Sequence, residues 1–137
     1  DNTLLPIDSD HGWSQFLINK GVLDRAEFEA RNDQFYADYK AGTLNIDEFL
    51  DFQLRPLRDN KRAQLAVWHQ EFMAEVIRPN IKPSALELVR QHQVDNAVCV
   101  IITATNSFIT QPIAQAFGMS LSEFILGFES FLQRVSA

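Results

Sequence analysis

The chain has 137 residues, the length of one ordinary domain, and its 46% hydrophobic and 22% charged content is that of a globular protein, which excludes wholesale disorder. Twelve basic against eighteen acidic residues leave a net charge of −6, so the basic footprint of a nucleic-acid binder is absent. Cys99 is the single cysteine, so no intrachain disulfide is possible; with no apolar run near the roughly 18 residues of a membrane span and no signal-peptide pattern, a cytoplasmic domain without nucleic-acid or membrane partners is expected.

Most of the chain reads as helix. Ser9 or Asp10 is placed to cap a first helix carrying Trp13, Phe16 and Leu17, with Gly21 as its stop. Asp24 and Glu27 have capping-box spacing, and the helix behind them sets Phe28, Phe35, Tyr36 and Tyr39 on one face before Gly42. Asn45 and Glu48 repeat the cap ahead of Phe49, Phe52 and Leu57. A longer helix follows, with Leu65, Trp68, Phe72, Met73 and Val76 on one face, and Pro79 and Pro83 bound a short extended link. Ser84 to Glu87 reads as the capping box of the next helix.

The pattern then changes. Ala97-Val98-Cys99-Val100-Ile101-Ile102 is a β-branched apolar run that suits a strand buried on both faces of a parallel sheet. Thr103 to Ser107 is a polar turn, Phe108 to Phe117 a helix that contains Pro112, and Gly118 its stop. From Leu121 to Val135 an amphipathic helix is expected, with Leu121, Phe124, Ile125, Phe128, Phe131, Leu132 and Val135 on its stripe. That stripe and a strand without neighbours predict self-association through the C-terminal helix. Because such a strand needs partners on both sides, and the chain opens on Asp1 rather than Met, the sequence reads as part of a longer protein.

Phosphate-loop, dinucleotide, zinc-protease and nucleophile-elbow signatures are absent. His11, His69 and His92 lack metal-ligand spacing and read as surface or boundary residues, and Cys99 as a small core residue. Two stretches stand out: Asp1-Asn2-Thr3-Leu4-Leu5 with Asp8-Ser9-Asp10-His11 behind it, and Val100-Ile101-Ile102-Thr103-Ala104-Thr105-Asn106. Together with Asn32-Asp33-Gln34-Phe35-Tyr36, they resemble the haloacid dehalogenase superfamily over roughly residues 1–118. The likeness is to its phosphoserine-phosphatase-like branch, which includes histidinol-phosphatases.

The resemblance implies an α/β fold, a Rossmann-like core with an inserted all-helical cap, in a chain that is itself mostly α. Residues 1–11 would be the remnant of the first core motif, 12–80 the helical cap, 81–118 the core strand and helices, and 119–137 an atypical amphipathic tail. The family's first strand ends in Asp-x-Asp-x-Thr, so Asp1 would be the second aspartate. It would serve as general acid and base and offer its backbone carbonyl to Mg²⁺. Thr103 would hydrogen-bond a phosphoryl oxygen, with Thr105 and Asn106 beside it at the following helix N-terminus. Asp8, Asp10 and Arg55 are weaker candidates for substrate contact. Helix capping is the alternative for Thr103, Asp8 and Asp10, and ordinary surface exposure for Arg55.

The implied reaction is Mg²⁺-dependent hydrolysis of a small phosphorylated metabolite, phosphoserine-like or histidinol-phosphate-like, through an aspartyl phosphate. The family's nucleophile falls two positions before Asp1, and neither its lysine nor its acidic metal ligands occur after Lys82. The 137 residues are therefore expected to be inactive by themselves. A non-catalytic helical interaction module, or a decayed family member, is the alternative.

Overall fold

The computed structural model describes residues 2–101, 103 and 105–119, and these are mostly helical. Asp1 and the stretch expected to form the C-terminal helix lie outside the described residues. Among the described residues six α-helices run in order: α1 Ser9–Asn19, α2 Arg25–Ala41, α3 Ile46–Asp59, α4 Arg62–Phe72, α5 Pro83–Val94 and α6 Ser107–Ala116. The chain divides into two compact units, Ser14–Trp68 and the remainder, with crossings inside α1 and α4.

Helix ends follow the local code. Asp24 accepts the Glu27 amide at 2.8 Å, and Asn45 accepts those of Asp47 and Glu48 at 3.1 and 3.2 Å. For α1 the cap is Asp8, not Ser9 or Asp10: its Oδ1 accepts the amides of Asp10 and His11, both at 3.0 Å. Gly21, Gly42 and Gly118 take positive φ, each followed by an amide that reaches back five residues, as in Val22 N–H to Leu17 O at 2.9 Å. Asn96, with φ of 59°, ends α5 in the same way.

Within Ser14–Trp68 the core joins Ile18, Phe28, Phe35 and Phe52, with Leu23, Leu44 and Phe49 against it. Phe28 and Phe52 stack at 5.4 Å, and Phe49 meets Phe35 edge-on at 5.4 Å. The Arg31 guanidinium lies 4.6 Å from the Phe35 centroid and Arg55 lies 5.2 Å from that of Phe52. Tyr36 and Tyr39, expected on the buried face, are exposed. The packed stripe of α2 stops at Phe35, where Phe49 and Phe52 meet it, and the phenol tips remain in water.

In the other unit, α4 does not run on as α-helix through Val76. Met73–Ile77 is a π turn and Arg78–Asn80 a 3₁₀ turn, so the extended link expected between Pro79 and Pro83 is confined to Ile81 and Lys82. Pro79 has no N–H and its ring crowds the carbonyl four residues back, so a regular ladder cannot pass through it. The Asn80 side-chain amide donates to the Val76 carbonyl at 2.7 Å. Helix α5 starts at Pro83, with Lys82 as its uncapped boundary, rather than at a Ser84 capping box. Proline at the first helical position presets φ, and Glu87 instead takes Arg90 at 3.1 Å.

The expected strand at Ala97–Ile102 is not formed among the described residues: 97–101 belong to neither helix nor ladder. Val98 is 73% exposed and Val100 43%, against the expected burial on both faces. A strand exists through its backbone partners, and the described residues supply none to this run. Cys99 is half-buried rather than a core residue.

Candidate functional site

The two stretches singled out in the sequence, 100 positions apart at Thr3 and Thr103, line one cavity of about 320 Å³ in the unit formed by residues 2–13 and 69–119. Its polar lining is four hydroxyl residues, Thr3, Ser9, Thr103 and Thr110, and Leu5, Ile113 and Phe117 contribute to its apolar wall. Asn2, in the left-handed region at φ 56°, donates its amide to the Ile7 carbonyl at 3.3 Å, which curls residues 2–7 back on themselves. Asp8 then starts α1, which puts Ser9 at its buried first position.

The opposite side is built by the turn into α6. The Thr105 amide donates to Thr103 Oγ1 at 3.1 Å, and a hydroxyl oxygen that accepts in this way keeps its own proton for another acceptor. Asn106 caps α6, its Oδ1 accepting the Ile109 amide at 3.2 Å. Thr110 donates both its amide, at 3.2 Å, and its hydroxyl, at 3.0 Å, to the Asn106 carbonyl. Pro112 is accommodated within α6 without breaking it.

Thr103 thus lines the cavity, while Thr105 and Asn106 hold the turn that presents it. Asp8 caps α1 through Oδ1, which accepts two amides, and is outside the lining. Asp10 is half-buried and outside the lining; burial raises its carboxyl above the ordinary range, the nearby Asp8 charge adds to this, and His11 opposes it. Arg55 belongs to the other unit, where it bonds Glu27 at 2.9 Å. Sequence reading did not single out Ser9 or Thr110 as lining residues. For Thr110 a signal existed in its place four residues after Asn106, the spacing at which a helical hydroxyl reaches a carbonyl.

No cationic side chain lines this cavity among the described residues. Lys82 borders a more open groove of about 480 Å³ that shares Thr3 and Leu4 with it. Among the described residues no three His, Cys, Asp or Glu side chains converge as a metal centre would require.

One histidine departs from expectation. His69 is buried, stacked on Trp13 at 5.7 Å and edge-on to Phe108 at 4.9 Å, and among the described residues its Nε2 meets no hydrogen-bond partner. Burial holds its pKa below the ordinary histidine value, against the opposing pull of backbone groups at Ile109, His69 and Phe108.

Comparison with known proteins gives concordant matches. The family model of haloacid dehalogenase-like hydrolases matches residues 1–130, beyond residue 118 where the resemblance of the motifs stops. A histidinol-phosphatase of Neisseria meningitidis serogroup C (strain 8013) is 48% identical over 120 residues, which is 88% of this chain and 54% of that protein. A crystal structure of a protein of unknown function from Bordetella pertussis Tohama I matches with a TM-score of 0.77 and 44% identity, over 88% of this chain and 54% of that one. The chain spans about half the length of these relatives.

Proposed function

Because this chain belongs to the haloacid dehalogenase-like hydrolases, we propose that it carries part of a cytoplasmic phosphomonoesterase acting on a small phosphorylated metabolite, histidinol-phosphate-like or phosphoserine-like. The observation that carries this reading is the convergence of Thr3 and Thr103 on one cavity. In the proposed architecture the cavity unit belongs to an α/β core, and the helices within residues 12–80 form the inserted cap.

Uncatalysed phosphate-monoester hydrolysis is extremely slow, so a catalyst must orient the phosphoryl group and balance its charge. Thr103 supplies orientation: its oxygen is held by the Thr105 amide, and its proton is directed to a phosphoryl oxygen. The amides of Ser107 and Phe108, which the α6 ladder does not use, add partial positive charge at the helix N-terminus. Asp1 is proposed as the general acid that protonates the leaving oxygen.

We further propose that the whole enzyme requires Mg²⁺, as the family does. The described residues do not fit such a centre, since no carboxylate cluster converges there, and no step is assigned through the ion. The charge deficit of a hydroxyl-lined cavity, together with a carboxylate nucleophile that the family places before Asp1, leads us to expect no turnover from these 137 residues alone.

The test has two arms. Inorganic phosphate titrated into the chain should shift the Thr105 amide resonance, and Thr103→Val should weaken that binding by about tenfold or more, the scale of one hydrogen bond to a charged group. Turnover of histidinol phosphate and phosphoserine with Mg²⁺ should stay at background. A Thr105 resonance indifferent to phosphate would remove Thr103 from the site. Turnover that survives repurification and vanishes in Asp1→Asn would overturn the expected inactivity.

A further inference from the structure

We infer that Thr110 is a positioning residue for the phosphate-binding turn, an inference that rests on the reading of Thr103 just given. A threonine hydroxyl bonded to the carbonyl four residues back is common in helices and ordinarily serves only the helix. Here the carbonyl belongs to Asn106, the N-cap residue, so the bond acts on the junction between α6 and the turn that carries Thr103. Asn106 is held at both of its oxygens: Oδ1 by the Ile109 amide, and the carbonyl by both the amide and the hydroxyl of Thr110.

Burial makes this bond consequential. Thr110 is 5% exposed and its side chain lines the same cavity as Thr103. Removal of the hydroxyl would leave the Asn106 carbonyl with one acceptor position unfilled, and the turn would be free to rotate toward another donor. Thr110 has given its proton to Asn106 and offers the cavity only lone pairs, so an entering anion is drawn to Thr103 instead. Its contribution to an anion site is geometric: it fixes the Asn106–Ser107 peptide plane, where the turn joins α6.

Hydrogen exchange by NMR on the 137-residue chain tests this with Thr110→Val, which keeps the shape, and Thr110→Ser, which keeps the hydroxyl. In the valine variant the Thr105 amide should exchange about tenfold faster, the effect of losing one net hydrogen bond, while Ile113 and Ala114 stay as in the parent. The serine variant should bring Thr105 back to within about twofold of the parent, since it restores the same bond. A Thr105 amide unchanged in Thr110→Val overturns the inference. Faster exchange spread evenly along α6 and not rescued by serine overturns it equally, because that is the mark of a packing role. The phosphate reading is judged separately, by Thr103→Val.

Discussion

The helical unit Ser14–Trp68 and the turn between α5 and α6 treat their apolar residues in opposite ways. In the first, Phe28, Phe35 and Phe52 are buried against one another, and arginines cover the outer ring faces. In the second, Val98 and Val100 lie exposed, and Val100 borders a cavity whose polar lining is hydroxyl groups. Helices satisfy their own backbone, so a few rings from neighbouring helices close a core. A β-branched run cannot do so, and its burial waits on partners from elsewhere in a fold. The lesson is that stability and chemistry are encoded over different distances in this chain.

The contrast can be broken at its strongest point first. Phe52→Ala removes the ring shared by Phe28 and Phe35 and should cost about 3–5 kcal/mol in denaturant unfolding, the usual loss for a buried phenylalanine. Phosphate binding at Thr103 in the folded fraction should be unaffected. A loss under about 1 kcal/mol would mean that the aromatic cluster is not the core of that unit.

His69 sharpens the comparison on the other side. Its pKa is lowered in the folded state relative to about 6.5 unfolded, so the unfolded chain takes up the proton more readily. The neutral ring therefore contributes its full stability above pH 6.5, and that contribution is lost as pH falls below 6.5 toward the folded pKa. Unfolding measured from pH 7 to pH 5 should show a decline that His69→Phe reduces. An identical decline in the variant would acquit His69. The smallest effect belongs to the cap at the turn: Asn106→Ala should cost about 1 kcal/mol, as N-cap losses do, and should speed exchange at Ile109 before any other α6 amide.

What the sequence made legible was local. Asp24, Asn45 and the glycines at 21, 42 and 118 act through bonds within five residues, and each occupies its expected place. Asn96 is hard to read because asparagine is a weaker positive-φ signal than glycine, and the α5 start because Pro83 competes with the Ser84 box. Burial of His69 was hidden for another reason. Its cage is assembled from Trp13 and Phe108, and no spacing rule links positions so far apart. Of the candidate site residues read from the sequence, Thr103 lines the cavity, while the hydroxyls of Ser9 and Thr110 that complete its lining carried no motif of their own.

At Gly21, Gly42 and Gly118 a β-carbon would meet nothing within 4 Å among the described residues. Space does not select glycine there; handedness does, because an L-residue in this conformation is strained by roughly 1–2 kcal/mol even in the open. Bulk is therefore welcome at these corners of the chain and chirality is the barrier. Asn96 already holds the same geometry with a side chain, so asparagine is the substitution that these corners should accept at the smallest cost to the helix ends they define.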